Sequence, residues 1–300
     1  MSEKQAQEGQ ISHSAGTAGR LLLCATPIGN LEDITFRVVR ALKEADLIAA
    51  EDTRNSIHLL THYDIHTPMT SYHEFNKYDK ADWLVGQMLE GKTVACITDA
   101  GTPGISDPGE VLVQKSLEAG IRVSALPGPA ACVTALTISG LPTRRFCFEA
   151  FLPPDRKERS QILEELKTET RTIVLYEAPH RLKETLAQLR DALGGERQIR
   201  LCRELTKIHE SVFAGTLEEA VRDTEIHPPR GEYVLVCAGL DRRILIEAGQ
   251  KSWREMPAEE HVAMYEKQGL DRKEAMKRAA KDRGVSKRDL YAELLKTETN

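Results

Sequence analysis

The sequence predicts an α/β protein of two lobes, each built on an open sheet, followed by a small helical extension. Three observations predict it. Apolar strand-like runs alternate with helical patterns from Leu21 to Ala131, the signature of parallel βαβ units. The pattern changes after Gly140-Leu141-Pro142, where strands recur with antiparallel elements among them. From about Arg242 the periodicity is helical throughout. These changes divide the chain into an N-terminal lobe over 20–140, a C-terminal lobe over 141–240 and a helix-turn-helix-like extension over 241–300. Residues 1–19 are polar and rich in Gln, Gly, Ser and Ala, and are expected to form a disordered tail.

In the first lobe, Leu-Leu-Leu-Cys-Ala-Thr (21–26) reads as a buried strand ended by Pro27 and Gly29. A helix over 33–45 turns Val38, Val39 and Leu42 inward. Strand 47–50 ends at Glu51-Asp52-Thr53-Arg54, and a helix starts at about Ser56. Strand 69–72 and helix 80–89 follow, then strand 92–98, which runs straight into a Gly/Pro-rich loop over 99–109. Helix 109–119 and strand 122–125 lead to Pro-Gly-Pro-Ala-Ala (127–131) and a helix of small residues. In the second lobe, strands are expected at 146–151, 172–176, 198–203, 211–214 and 232–237. Helices are expected at 155–166, 179–193 and 217–224. Asp155 is placed to cap the first of these, with Glu158 at the capping-box position. In the extension, Ala275, Met276, Ala279 and Ala280 share one face. Gly284 breaks that helix, Ser286 can cap the next, and Leu290, Leu294 and Leu295 are expected to be buried.

Composition narrows the function classes. The chain of 300 residues is 41% hydrophobic and 29% charged, ordinary for a globular protein. No run approaches the ~18 apolar residues of a membrane span, and the polar N-terminal stretch has no apolar signal core, so a cytoplasmic protein is expected. The six cysteines form no C-x-x-C pair and mostly sit in apolar strand-like runs, which favours buried reduced thiols over disulfides or zinc. His58, His62 and His66 recur at four-residue spacing, but no Glu completes an H-E-x-x-H, and no metal is expected. The net charge is −5, yet residues 267–288 hold nine basic and three acidic residues. Arg272, Lys273, Lys277, Arg278, Lys281, Lys287 and Arg288 are candidates for phosphate contacts, with a solvated helix face as the alternative.

The most informative stretch is Asp-Ala-Gly-Thr-Pro-Gly-Ile-Ser-Asp-Pro-Gly (99–109). It follows a buried strand, and ligands of open α/β sheets bind at the carboxyl ends of strands. Its glycines let a ligand approach the backbone, and its prolines fix the loop's shape. It is neither a G-x-G-x-x-G nor a P-loop, so nucleoside triphosphates are disfavoured. Small-residue loops at 25–30 and 127–131 also lie at strand ends, which points to one shared crevice. Glu51, Asp52 and Arg54 end a further strand. They form either a functional corner or a local ion-pair and capping cluster.

Six motifs stand in order: Ala-Thr-Pro-Ile-Gly-Asn (25–30), Glu-Asp-Thr-Arg (51–54), the loop at 99–109, Pro-Gly-Pro-Ala-Ala (127–131), Tyr-Glu-Ala-Pro-His-Arg (176–181) and Cys-Arg-Glu-Leu-Thr-Lys-Ile-His-Glu (202–210). In this order and spacing the set resembles the tetrapyrrole methylase family, the class III S-adenosylmethionine-dependent methyltransferases, over about residues 20–240. Ala25–Asn30 replaces the G-x-G-P-G loop of the tetrapyrrole enzymes, and Ala-Gly-Thr-Pro replaces their Gly-Gly-Asp-Pro, so the likeness is to the RNA-modifying branch. The helical extension is similar to that branch's own. The resemblance implies S-adenosylmethionine bound between the lobes, 2′-O-methylation of a cytidine ribose in 16S rRNA of the 30S subunit, and a homodimer. It implies cofactor contacts from Pro27, Thr98, Asp99, Ala100, Gly101, Thr102, Pro103, Ile105, Gly128, Pro129, Ala130, Ala131, Tyr176 and Cys202.

A ribose hydroxyl is a weak nucleophile, so a positioned base should help by ~10²–10⁴-fold. Glu51, Asp52 and Glu210 are the base candidates, together with His209, and the strand-end pair Glu51/Asp52 is favoured. Arg54 could hold a phosphate or orient a carboxylate. Asp99 reads as a loop-shaping or cofactor-binding residue. Tyr72, His73, Phe75 and Tyr78 form an aromatic loop that could stack bases or pack against a lobe. A small-molecule tetrapyrrole methylase and a non-catalytic ribosome-binding protein are the alternative functions.

Overall fold

The computed structural model describes residues 19–297. The N-terminal stretch expected to be a tail lies outside the described residues except for Gly19. Five parallel strands form the first sheet: β1 (Arg20–Cys24), β2 (Leu47–Ala50), β3 (Met69–Ser71), β4 (Thr93–Ile97) and β5 (Arg122–Leu126), in the order β3-β2-β4-β1-β5. Helices α1 (Phe36–Glu44), α2 (Thr53–His62), α3 (Lys77–Leu89) and α4 (Gly109–Glu118) connect them. Because side chains alternate along a strand, β1 sends Leu22 and Cys24 to one face and Leu21 and Leu23 to the other. The first pair packs with Val38 and Leu42 of α1 and Leu60 of α2. The second packs with Leu84 and Met88 of α3 and Leu112 of α4. Both faces are covered, as a parallel sheet requires.

The second sheet has the order β6-β7-β10-β8-β9, from β6 (Phe146–Phe151), β7 (Thr172–Glu177), β8 (Gln198–Arg203), β9 (Ser211–Thr216) and β10 (Tyr233–Cys237). Only β6 and β7 pair in parallel; β10 pairs antiparallel with both β7 and β8, and β9 antiparallel with β8. Helices α6 (Arg156–Leu166), α7 (Leu182–Leu193) and α8 (Leu217–Ile226) cover one face through Leu186, Leu189 and Leu217. The opposite face is covered by α5 (Ala131–Ile138), whose Cys132, Ala135 and Leu136 pack on Val174, Cys202, Val234 and Val236. Helix α5 therefore follows the first sheet in sequence but packs on the second.

Among the described residues, four helices follow the second sheet: α9 (Arg242–Glu255), α10 (Ala258–Lys267), α11 (Arg272–Asp282) and α12 (Lys287–Thr297). Ala275, Met276, Ala279 and Ala280 bury against Val262, Leu290 and Leu294. Leu295, expected to be buried, is instead 46% exposed, because it lies a residue past the face that Leu290 and Leu294 share. Gly284, at φ +63°, turns α11 into α12, and Ser286 caps α12 by accepting from the Asp289 N–H at 3.1 Å. Arg283 is buried between the helices, donating to the carbonyls of Trp253 and Met256 and to Glu293.

Helix α2 begins at Thr53, three residues before the expected start, because Asp52 serves as its N-cap. At the neighbouring strand, Tyr72 is buried and its hydroxyl donates to the Pro108 carbonyl at 2.7 Å, tying the end of β3 to the far end of the loop after β4. Tyr72→Phe removes that bond and should cost about 0.5–1.5 kcal/mol of unfolding free energy in urea titration.

Candidate active site

The loops at the carboxyl ends of β1, β4 and β5 meet at one edge of the first sheet. Thr26 and Gly101 form an isolated antiparallel bridge, with N–H to carbonyl distances of 2.9 and 3.1 Å. The Thr102 hydroxyl donates to the Pro129 carbonyl at 2.8 Å. At Gly128 a Cβ would stand 2.7 Å from that of Ala25, so only glycine permits the β1 and β5 loops to approach so closely. The β4 loop is shaped by Asp107, whose carboxylate accepts from the N–H groups of Gly104, Ile105 and Gly109 at 2.8–3.0 Å.

Between this edge and the second sheet lies a cavity of about 610 Å³. The first sheet supplies Glu51 and residues 98–102 and 105–107, and the α5 start supplies Ala130 and Ala131. The second sheet supplies Phe151, residues 176–180, Cys202, Leu205 and residues 232–234. At the cavity, the Cys132 N–H, in the first turn of α5, donates to the Tyr176 hydroxyl oxygen at 3.2 Å. Tyr176 is held in turn by an edge contact with Phe148 and a tilted ring contact with Phe151. Burial raises the Tyr176 phenol above its ordinary value and pushes the Cys202 thiol up to about 11, so both face the cavity uncharged near neutrality.

Of the residues singled out from the sequence, Thr98, Asp99, Ala100, Gly101, Thr102, Ile105, Ala130, Ala131, Tyr176 and Cys202 line the cavity. Pro27, Pro103, Gly128 and Pro129 do not; they lie in the loops whose backbones shape it. Among the base candidates only Glu51 lines it. Burial, then the neighbouring negative charges of Asp99 and Asp107, raise the Glu51 carboxyl above the usual range, although it accepts a hydrogen bond from the Asp99 N–H. Asp52 faces elsewhere. It accepts from the Arg54 backbone N–H as the α2 cap and from the Arg54 guanidinium at 2.8 and 3.1 Å. The capping and ion-pair reading therefore describes Asp52 and Arg54. Glu210 is also spent locally, accepting from the Thr206 N–H at 2.6 Å. Asp99 accepts from the Asp52 N–H and the Asn55 amide, which links the β2 and β4 ends.

Part of the far wall has no signal in the sequence. Glu177 to His180 belong to the Tyr-Glu-Ala-Pro-His-Arg motif, but Glu232 to Val234 carry no local signal and arrive through the antiparallel register of β10 with β7 and β8. Among the described residues no group of three His, Cys, Asp or Glu side chains could hold a metal ion.

A family model described as Tetrapyrrole (Corrin/Porphyrin) Methylases matches residues 20–221. The chain belongs to the tetrapyrrole methylase family. It is 49% identical over 273 residues to ribosomal RNA small subunit methyltransferase I of Halalkalibacterium halodurans, covering 91% of this chain and 93% of that one. The Bacillus subtilis protein of the same name is 45% identical over the same shares of the two chains. The fold is that of uroporphyrin-III C-methyltransferase from Thermus thermophilus, solved with S-adenosylhomocysteine. That likeness has a TM-score of 0.52 at 20% identity and covers 73% of this chain and 97% of that one. The relatives of the same name thus cover much more of the chain than the family model, which stops at residue 221.

The Asp52–Arg54 pair yields a titration test. The guanidinium holds the Asp52 carboxyl down at about 2, against an ordinary 3.8. A depressed carboxylate stabilises the folded state above the unfolded value and loses that contribution as pH falls from 3.8 towards 2. Arg54→Ala should return the Asp52 midpoint towards 3.8 in an NMR titration of its side-chain carboxyl.

Proposed function

We propose that the chain is an S-adenosylmethionine-dependent methyltransferase that methylates the ribose 2′-hydroxyl of a cytidine in 16S rRNA. The carrying observation is the identity to ribosomal RNA small subunit methyltransferase I over more than nine-tenths of both chains. The proposed setting is the cytoplasm, the proposed partner the 30S subunit, and the proposed form a homodimer, which sedimentation equilibrium tests.

The cavity suits such a cofactor in volume, within the ~300–1,000 Å³ of small-molecule sites, and in chemistry. Leu205, Val234, Ala130 and Ile28 offer apolar surface, and Asp99, Asp107 and Glu51 also line the cavity. Gly101, at φ +87°, leaves backbone where a Cβ would press on the Ile28 side chain at 3.3 Å. Residues 98–102, Ala130, Ala131, Tyr176 and Cys202 would hold the cofactor, which supplies an electrophilic methyl on a sulfonium. The protein's own contribution is first alignment, which held reactants supply at ~7–11 kcal/mol of barrier. Glu51 then accepts the proton of the ribose hydroxyl as that oxygen attacks.

On α11 and α12, Lys273, Lys281, Lys287 and Arg288 are exposed and have no ion-pair partner among the described residues. They are the strongest phosphate contacts of the seven expected. Arg272 is shared with Glu259 and Glu266, Lys277 pairs with Glu274, and Arg278 lies over the Tyr265 ring.

Labelled methyl transfer to purified 30S subunits, naked rRNA and uroporphyrinogen tests the reading. Ribose label in small-subunit rRNA is expected, and label confined to the porphyrinoid overturns it. Glu51→Gln should lower kcat ~10²–10⁴-fold with S-adenosylhomocysteine binding retained. Because the protonated Glu51 persists to higher pH than an ordinary carboxyl, wild-type kcat should rise with pH through a midpoint above 4.5. Replacing both Lys287 and Arg288 by Ala should weaken 30S binding and reduce the slope of log affinity against log salt by ~0.7 per lost contact.

A further inference from the structure

Behind the second-sheet wall of the cavity lies a buried polar chain that none of the chemistry above uses. Arg159 of α6 is only 6% exposed, and no carboxylate among the described residues is in direct contact with it. Its Nη2 donates to the Thr185 hydroxyl of α7 at 2.6 Å, and Thr185 in turn meets the Glu177 carboxylate. Thr185 is fully buried and Glu177 is 2% exposed. The direction of each bond is forced. A guanidinium has no acceptor, so the Thr185 oxygen accepts from Arg159 and its own hydrogen points to Glu177. The other Glu177 oxygen accepts from the Ala178 N–H at 2.8 Å. Both Glu177 oxygens are thus engaged, one through the hydroxyl that Arg159 also meets and one by backbone. Arg181 flanks it, with Nε 3.7 Å from Glu177 and Nη2 donating to the Leu152 carbonyl at 2.7 Å.

These anchor points coincide with the cavity wall. Glu177 and Ala178 line it, and so does Phe151, next to Leu152. Buried charge is costly unless compensated, and this protein places such a pair beside the site where a few apolar residues would fill the space. We propose that Arg159, Thr185 and Glu177 form a positioning relay that fixes the wall at residues 177–180 for the cofactor, with the Thr185 hydroxyl as its joint. The relay rests on reading the cavity as the cofactor site, and these residues act through the wall rather than on the reacting atoms.

Thr185→Val keeps the shape and removes the joint, whereas Thr185→Ser restores the hydroxyl. The full-length proteins are compared by calorimetric titration with S-adenosylhomocysteine, by kcat and KM for S-adenosylmethionine, and by amide hydrogen exchange. Thr185→Val should weaken binding and raise KM by about 3- to 30-fold, with a smaller change in kcat. Exchange should quicken at Ala178 while the β7 and α7 cores keep their protection. Thr185→Ser should stay within about 3-fold of wild type, the lower edge of that coupling range. If Thr185→Val does not fold, Arg159→Gln takes its place with the same expectation. Wild-type affinity in the hydroxyl-free variant, or equal losses in Val and Ser, overturns the relay. Failure of the wild type to bind S-adenosylhomocysteine overturns the cofactor reading and the relay with it.

Discussion

Three backbone N–H groups converge on one carboxylate, that of Asp107, and the loop that shapes the cavity depends on it. The loop leaves β4 through Gly101 and Gly104, both at positive φ, and Ser106 at φ +66°. A non-glycine residue in that region costs on the order of 1–3 kcal/mol. Hydrogen bonds to a charged acceptor contribute roughly 1.5–3 kcal/mol each, so three of them outweigh the strain. The same contact dictates glycine at 109, where a Cβ would lie 2.7 Å from the Asp107 oxygen and 2.8 Å from the Gly104 nitrogen. Once the loop is fixed, Gly101 bridges to Thr26, Thr102 reaches Pro129, and three strand ends become one surface.

That surface is half a site. The other half comes from a sheet of different topology, brought opposite by α5, which leaves the first sheet and spends its apolar face on the second. The Tyr176 hydroxyl takes an N–H from the first turn of α5, where helix donors lack partners, so the wall of one lobe caps an element shared with the other. The spacing between the sheets is thus set by packed side chains and a cap.

The sequence disclosed what is local. The parallel sheet was legible because apolar runs alternate with helical patterns, and Asp99 to Gly109 stood out because a run of small residues is poor at packing. Helix α2 was placed late because Glu-Asp-Thr-Arg reads as a charged strand end, while in three dimensions Asp52 is a cap. Leu295 was misplaced by one step around a short helix. Glu232 to Val234 were illegible, since only the register of β10 brings them to the cavity. The Arg159–Thr185–Glu177 chain was hidden for a related reason: Arg159 lies in a highly charged helix, Arg156–Leu166, where nothing local distinguishes the one buried arginine from its exposed neighbours.

The corner formed by Glu51, Asp99 and Asp107 shows why three carboxylates can differ in chemistry. Asp107 accepts three backbone N–H bonds and is committed to shaping its loop. Asp99 accepts from the Asp52 N–H and the Asn55 amide and is committed to joining two strand ends. Glu51 receives one long bond, at 3.4 Å, from the Asp99 N–H. It is half-buried, and its two neighbours are fixed anions that oppose its ionisation. Burial first, and then the charges of Asp99 and Asp107, raise the proton affinity of Glu51, the least firmly held of the three, against the single backbone bond that it accepts. A base needs that combination of free lone pairs, access to the reacting group and an affinity brought nearer to neutral pH. Asp52, drawn down by Arg54, is perturbed in the opposite direction by the same physics.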